Sequence, residues 1–442
     1  MKTISAITPG NLAVILLIIA SALYSCNNVP EADFKADNTS PKVGDQITLR
    51  DQTSNDPDSW EWNLNPSSYQ FMKGTSSNSQ DPVIEFSEGG PYTVSLTASN
   101  PDGSDTESKT DYIAVQHDHS PVVMVHSPGL EDNLLGDSPD REVRVYLPPD
   151  YYESTSKRYP VVYLLHGFYS DHNGWWEGVE GVLIINIEEI LNGLISEGEI
   201  EPMIIVAPNS YNRYFGSKYA NSSTAGLWED FITQDVVSYI DAHYRTLAVR
   251  ESRGIAGLSM GGNGAIKIAM KHPELFTALY SNSAGIVAFE SVFLGFRKQD
   301  LITASQLESF TLADLFIHGV SVASCVACAP AYAPNPDAPA FYGDFPVTET
   351  GELIDDIWQK WLEHDPYTML STYKDNLKQV KILLDCGDTD EFNPSNNLFA
   401  QKLTELGIDH IFEVYVGDHT NKAALRFGSA GFPFLSENLD HE

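Results

Sequence analysis

Residues 252–270 read Ser252-Arg253-Gly254-Ile255-Ala256-Gly257-Leu258-Ser259-Met260-Gly261-Gly262-Asn263-Gly264-Ala265-Ile266-Lys267-Ile268-Ala269-Met270. At their centre stands a G-x-S-x-G pattern, Gly257 to Gly261, after a short apolar run and before a stretch with helical spacing. A strand that turns sharply into a helix lifts the side chain at the apex out of the sheet and holds it in a strained backbone conformation. Glycines on both sides are needed because the flanking chain packs closely around such a turn. Ser259 is therefore the candidate nucleophile, and the helix start behind it favours negative charge developing nearby. A glycine-rich turn without chemistry is the competing reading, and the strand before and helix after argue against it.

Outward from this turn the same rhythm repeats. Val143–Leu147, Val161–Leu165, Met203–Ala207, Ser252–Ala256, Ala278–Ser281, Lys381–Asp385 and Ile411–Val416 read as strands. Ile187–Ile195, Trp228–Tyr244, Met260–Met270 and Ser395–Leu406 carry helical spacing between several of them. Alternating strand and helix predicts parallel pairing with right-handed crossovers, an α/β sheet with helices on both faces. The rhythm breaks over residues 285–370, a segment rich in Ala, Pro and Phe, which reads as a cap or lid beside the site.

A serine hydroxyl is a weak nucleophile until a base takes its proton. On a sheet of this kind the partners follow in the order serine, acid, histidine, at the C-terminal ends of strands. After the strand ending at Asp385 comes Cys386-Gly387-Asp388-Thr389-Asp390, and after the strand ending at Val416 comes Gly417-Asp418-His419. His419 is the expected base and Asp390 the carboxylate that orients it, with Asp388 the alternative acid. His410, which precedes its strand, and His364, in the inserted segment, are weaker candidates for the base. Charge developing on a carbonyl oxygen needs two N–H donors. The amides of Met260 and of Phe168, in His166-Gly167-Phe168 after the strand Val161–Leu165, are the expected pair, and His166 reads as a structural loop histidine. Trp175, Trp176, Tyr211, Tyr214 and Tyr219 lie in loops near the predicted mouth, where rings could stack on a substrate; Trp175, Trp176 and Tyr219 are the expected contacts.

Together these motifs resemble the esterase D family of α/β-hydrolases, which includes feruloyl esterases, S-formylglutathione hydrolases and, more distantly, enterochelin esterases and mycolyltransferases. The resemblance runs from about Val143 to His419 outside the insertion. It includes Arg158-Tyr159-Pro160 leading into His166-Gly167, and Trp228-Glu229-Asp230-Phe231 through Asp241-Ala242-His243-Tyr244-Arg245. It implies hydrolysis of carboxylic esters through an acyl-enzyme, without a cofactor. The 285–370 insertion departs from the family pattern and leaves the acyl specificity open.

Residues 31–116 differ in character, with short alternating segments such as Gln46–Leu49, Val83–Phe86 and Tyr92–Ala98 between turn signals. Period-two alternation predicts an all-β, immunoglobulin-like sandwich. Val43-Gly44-Asp45, Asp58-Ser59-Trp60-Glu61-Trp62, Gly90-Pro91-Tyr92-Thr93-Val94 and Asn100-Pro101-Asp102-Gly103 resemble the polycystic-kidney-disease (PKD) domain pattern. That resemblance implies a spacer or a weak glycan-binding module. His117-Asp118-His119-Ser120-Pro121 forms a polar break, and the hydrolase region follows over 122–440. A PKD-like module on an exported esterase points to feruloyl or acetyl groups on plant-type polysaccharides; an inactive glycan-binding surface lipoprotein and an acyltransferase or enterochelin-esterase-like hydrolase are the rivals.

The 442 residues suit two or three domains of roughly 100–200 residues. With 26 basic and 61 acidic residues the net charge is −35, which repels nucleic acid and anionic lipid surfaces. Residues 1–26 read as an export signal: Lys2 precedes the apolar run Ala13–Ala22, too short to span a bilayer. Ser25-Cys26 at its end resembles a lipobox, so that a lipid on Cys26 is the expected membrane attachment. Cys325 and Cys328 form a lone C-x-x-C with no second ligand pair, so no metal site is expected there. A loop-pinning disulfide and two buried thiols are the alternatives, the disulfide being expected in an oxidising compartment.

Overall fold

The computed structural model describes residues 28–442; the export-signal reading and Cys26 lie outside them. Two compact units divide at Asp118/His119.

In the N-terminal unit, β1 (Phe34–Ala36), β2 (Gln46–Asp51), β3 (Ser59–Asn65), β4 (Tyr69–Met72), β5 (Val83–Phe86), β6 (Gly90–Asn100) and β7 (Gly103–Val115) make two antiparallel sheets, ordered β1-β2-β5-β4 and β3-β6-β7. The alternation read from the sequence is the reason they pack. Along β6, Tyr92, Val94, Leu96 and Ala98 are buried while the residues between them are not. Successive side chains of a strand point to opposite faces, so one face of each sheet is apolar. These faces enclose Phe34, Ile47, Leu49, Trp62, Leu64, Ile84 and Phe86. The Trp62 indole, which cannot be buried unpaired without cost, donates to the Ser79 carbonyl at 2.9 Å.

The C-terminal unit is built on one eight-stranded mixed sheet. Its strands are β8 (Val122–His126), β9 (Asp140–Tyr146), β10 (Val161–Leu165), β11 (Ile204–Pro208), β14 (Arg253–Leu258), β15 (Ala278–Asn282), β16 (Lys381–Gly387) and β17 (Ile411–Tyr415), ordered β17-β16-β15-β14-β10-β11-β9-β8. A small hairpin, β12 (Asn221–Ser222) with β13 (Gly226–Leu227), stands apart. From β17 to β11 every pair is parallel, and β9 and β8 add antiparallel. The all-parallel expectation is corrected at this edge. Between β8 and β9 the chain holds only a short turn at Pro128–Leu130, and without a crossover helix two neighbouring strands return antiparallel.

The four central strands, β10, β11, β14 and β15, are buried along their whole length, as strands covered on both faces must be. One face, with Val161, Tyr163, Leu165, Val206 and Ile255, packs on the helical stretch 228–243, on the Met260–Lys271 helix and on the Asn393–Glu405 helix. The other face, with Val162, Leu164, Ile205, Ala256 and Leu258, packs on α1 (Ile187–Glu197) and on the C-terminal helix Phe432–Asn438. We label the Met260–Lys271 helix α2, the long helix Leu312–Tyr332 α3 and the Asn393–Glu405 helix α4.

The inserted segment folds as a largely helical layer with its own core, in which Phe289, Phe293, Leu301, Val322, Trp358 and Trp361 pack together. Its main element is α3, which starts at a Thr311/Asp314 capping box and is interrupted at Gly319, whose φ is +85°. Cys325 and Cys328 sit within α3, not in a loop, and both are free buried thiols. The disulfide expectation is thereby corrected. The part of α3 after Gly319 that carries both cysteines is apolar and helical, so the sulfurs pack as small hydrophobes, and burial raises both thiol pKa values.

Candidate active site

Ser259 sits between β14 and α2 with φ +58° and ψ −115°, a conformation that non-glycine residues rarely adopt. Close packing holds it there. A Cβ on Gly257 would lie 2.3 Å from the carbonyl carbon of Gly261, and one on Gly261 would lie 2.0 Å from the Leu165 oxygen. The turn is further pinned to the rim of the sheet: the Ser259 amide donates to the Asn282 carbonyl, and the Gly285 amide donates to the Ser259 carbonyl, both at 3.0 Å. Below it, the buried Asp385 carboxylate accepts from Asn282 at 2.6 Å, Tyr280 at 3.0 Å and Arg426 at 2.7 Å.

His419, after β17, brings Nε2 to 2.8 Å from the Ser259 hydroxyl and Nδ1 to 2.9 Å from Oδ2 of Asp390. A carboxylate can only accept, so Nδ1 carries the proton and donates to Asp390, which leaves Nε2 free to accept from Ser259. Asp390, after β16, has a fully buried carboxylate. Burial pushes its pKa up, but the hydrogen bond and charge of His419, the Phe392 amide and the Cys386 thiol outweigh that and hold it below the usual range. Asp388 points elsewhere and accepts from the Gly417 amide. The three residues singled out at the C-terminal ends of β14, β16 and β17 thus converge in one hydrogen-bonded chain.

The loop after β10 lies alongside. A Cβ on Gly167 would stand 3.6 Å from the Ser259 Cβ, and Phe168 and Met260 line the same cavity as Ser259 and His419. As the first residue of α2, Met260 carries one of the amides that a helix start leaves unpaired within the helix. His166 is buried and fixes this loop: Nδ1 donates to the Gly167 carbonyl at 2.9 Å, and Nε2 accepts from the Ser210 amide at 2.9 Å. Burial lowers its pKa to about 4, so it stays neutral and structural, as expected. Of the weaker base candidates, His364 stacks on Tyr332 and His410 precedes β17, bonded to the Ile408 carbonyl.

The aromatic contacts are corrected. Trp175 packs edge-on against Phe427 at 4.9 Å. Trp176 donates to Ser120 at 3.0 Å under the Arg144 guanidinium, and the Tyr219 hydroxyl donates to the His166 carbonyl at 2.9 Å. All three are buried and none lines the cavity; Tyr211 and Tyr214 do not line it either. Loop aromatics here fill the space beneath the loops that frame the site, because large rings gain most from full burial.

The cavity itself measures about 1040 Å³ including its open part. Sequence reasoning missed most of its wall: Lys218, Asn263, Ile286, Phe293, Arg297 and Tyr332 line it. The inserted segment supplies several of these and also Val320, Ser324 and Cys325 from α3. Only the position of the insertion between β15 and β16, next to the site in the chain, could have signalled this. Chemically, the arrangement offers a hydroxyl hydrogen-bonded to an imidazole, a buried carboxylate behind it and a partly enclosed, mainly apolar space in front.

The fold and these loops define an α/β-hydrolase. Residues 138–425 match the family model described as "Putative esterase", and the chain belongs to that family. Residues 27–115 match the model of the PKD domain. An endo-1,4-beta-xylanase/feruloyl esterase of Xylanibacter ruminicola is 32% identical over 136 residues, covering 30% of this chain and 18% of the relative. An esterase of Mycobacterium tuberculosis is 32% identical over 142 residues, covering 32% of this chain and 28% of its own. The chain therefore spans well under a third of the length of these curated relatives. A solved ferulic acid esterase aligns over 73% of this chain and 100% of its own at 23% identity, with a TM-score of 0.47.

Proposed function

We propose that this protein is a carboxylic ester hydrolase that works through an acyl-enzyme on Ser259 and removes feruloyl or acetyl groups from plant-type polysaccharides. The observation that carries the reading is the chain from Ser259 Oγ through His419 to Asp390, at 2.8 and 2.9 Å, opening onto a partly enclosed cavity. Ser259 Oγ attacks the ester carbonyl carbon as its proton passes to His419 Nε2. The Met260 and Phe168 amides receive the charge that forms on the carbonyl oxygen. As the carbon–oxygen bond to the alcohol breaks, His419 returns the proton to the departing oxygen. Water then repeats the sequence, losing its proton to Nε2, and frees the acid and Ser259. Asp390 holds the imidazole in the required tautomer and stays ionised, because its pKa lies below the usual carboxylate range. The polysaccharide direction is supported by the PKD-domain match and by the feruloyl esterase among the relatives. Export with lipid attachment at Cys26 belongs to the same proposal, and palmitate labelling that vanishes in Cys26→Ser tests it.

A fluorophosphonate probe on the purified protein, with a panel of feruloylated, acetylated and short-chain fatty esters, tests the chemistry. Labelling and turnover of at least one ester, both lost in Ser259→Ala, are expected. Labelling that persists in Ser259→Ala removes the assignment.

A further inference from the structure

Lys218 is only 4% exposed, yet it lines the cavity in front of Ser259. Its backbone φ of +57° and that of Tyr219, +48°, are conformations a lysine or tyrosine adopts only when the surrounding fold requires them. The Nζ donates to the Ser324 hydroxyl of α3 at 2.8 Å and lies 4.2 Å above the Phe168 ring. Among the described residues, no carboxylate stands within ion-pair distance of it. Cys325 and Cys328, the neighbouring acidic groups, are neutral because burial raises their pKa values. Arg297, the other cation of the cavity wall, is satisfied by Asp300 and Glu391.

Burial lowers the Lys218 pKa, and its Nζ, which can donate to three acceptors when protonated, is held against one hydroxyl and one aromatic face. Burying a charge is costly unless it is paired and fully hydrogen-bonded, and the ring and hydroxyl meet only part of that need. A group in the cavity that offers an acceptor oxygen would meet the rest. Position decides which part of an ester that is. Among the lining residues, Val182 and Val320 are about half exposed, whereas Lys218, Cys325 and Tyr332 are buried. An alcohol attached to a polymer has to stay toward the exposed part of the wall, which leaves the buried part, with Lys218, to the acyl group.

We propose that Lys218 is the anchor of the acyl-group subsite and selects esters whose acyl group carries an acceptor oxygen at its far end, an aromatic hydroxyl or a carboxylate. The inference rests on reading this cavity as the acyl site of the proposed hydrolase. It differs from that reading in being testable by binding alone.

The test uses the full-length Ser259→Ala protein and calorimetric titration with three ligands that differ only at the far end of the ring: methyl cinnamate, methyl 4-hydroxycinnamate and methyl 4-carboxycinnamate. At least one oxygenated ester is expected to bind tenfold or more tightly than methyl cinnamate, and whichever binds best identifies the kind of oxygen. Equal affinity for all three overturns the proposal without reference to any Lys218 variant. Adding Lys218→Met should bring the ratio to within twofold of unity while the melting temperature holds or rises, because a buried amine that is costly to desolvate has been replaced by an apolar side chain of similar length. A ratio unchanged in Lys218→Met, or a fall in melting temperature with loss of all three ligands, assigns Lys218 a structural role and overturns the proposal. Failure of the fluorophosphonate test would sink the acyl-enzyme chemistry and leave these affinities standing.

Discussion

Asp388 and Gly417 join the two loops that complete the site: the Asp388 carboxylate accepts from the Gly417 amide at 2.9 Å, and the Thr389 amide donates back to the Gly417 carbonyl at 3.0 Å. The loops after β16 and β17 are therefore held as one piece. Of the two aspartates in this stretch, one ties the loops together and the other, Asp390, faces His419.

Asp390→Asn should lower kcat about 1,000- to 10,000-fold, because an amide at that position favours the wrong imidazole tautomer. Asp388→Ala should instead cost about 1–2 kcal/mol of stability through the lost hydrogen bond, with a far smaller change in kcat. Steady-state kinetics and urea unfolding of both variants check the division. Equal kinetic damage from both would refute it.

Gly257→Ala places a methyl group 2.3 Å from the Gly261 backbone, which cannot yield as a flexible side chain would. Overpacking of this kind costs typically about 1–3 kcal/mol and shifts the turn that presents Ser259. Lower melting temperature and slower fluorophosphonate labelling are expected together. A variant with wild-type values of both would show that the turn has room the geometry denies.

Glu229 is buried and bonded to Lys271 at 2.8 Å and His272 at 3.0 Å. Burial pushes its pKa up, but the His272 hydrogen bond and the Lys271 charge outweigh it and bring it from 4.5 to about 2. A depressed carboxylate contributes stability that is fully present above the unfolded value of 4.5 and is lost as pH falls toward 2. Glu229→Gln should therefore cost on the order of 3 kcal/mol at pH 6 and little near pH 2. The His272 pKa is raised, chiefly by its hydrogen bond to Glu229, so its share is present below 6.5 and fades as pH rises. Urea unfolding from pH 2 to 8 measures both limbs; a Glu229→Gln cost that does not shrink in acid would contradict the assignment.

Trp175→Ala should destabilise the C-terminal unit by about 3–5 kcal/mol, the cost of emptying a core site of this size. KM for any ester should stay within experimental error in the folded fraction, because Trp175 lies outside the cavity. A KM rise with unchanged stability would restore the substrate role.

The site was legible because its residues are marked by local chain geometry. A nucleophile turn needs glycines at fixed offsets, and Asp390 and His419 each follow a strand ending, so order along the chain stands in for proximity. The parallel core strands announced themselves as unbroken apolar runs. By contrast, β8 and the antiparallel edge escaped notice, since pairing direction depends on the link between strands and not on their composition. Trp175, Trp176 and Tyr219 were misread because a ring in a loop carries no sign of which way it faces. Lys218 was invisible for the opposite reason: a lysine in Gly-Ser-Lys-Tyr reads as solvated, and only its neighbours in space show it enclosed. Cys325 and Cys328 misled through spacing, which fits a loop disulfide and one turn of helix equally well.

The 285–370 segment leaves from the end of β15, and the chain returns into β16, and those strands pair directly, Ala278 beside Lys381. The register that seats Ser259, Asp390 and His419 is set by direct strand pairing and not by the segment between β15 and β16. Part of the wall that a substrate meets is thus carried by an excursion of chain, while Lys218 and Phe168, which lie outside it, stay with the frame that holds Ser259, Asp390 and His419.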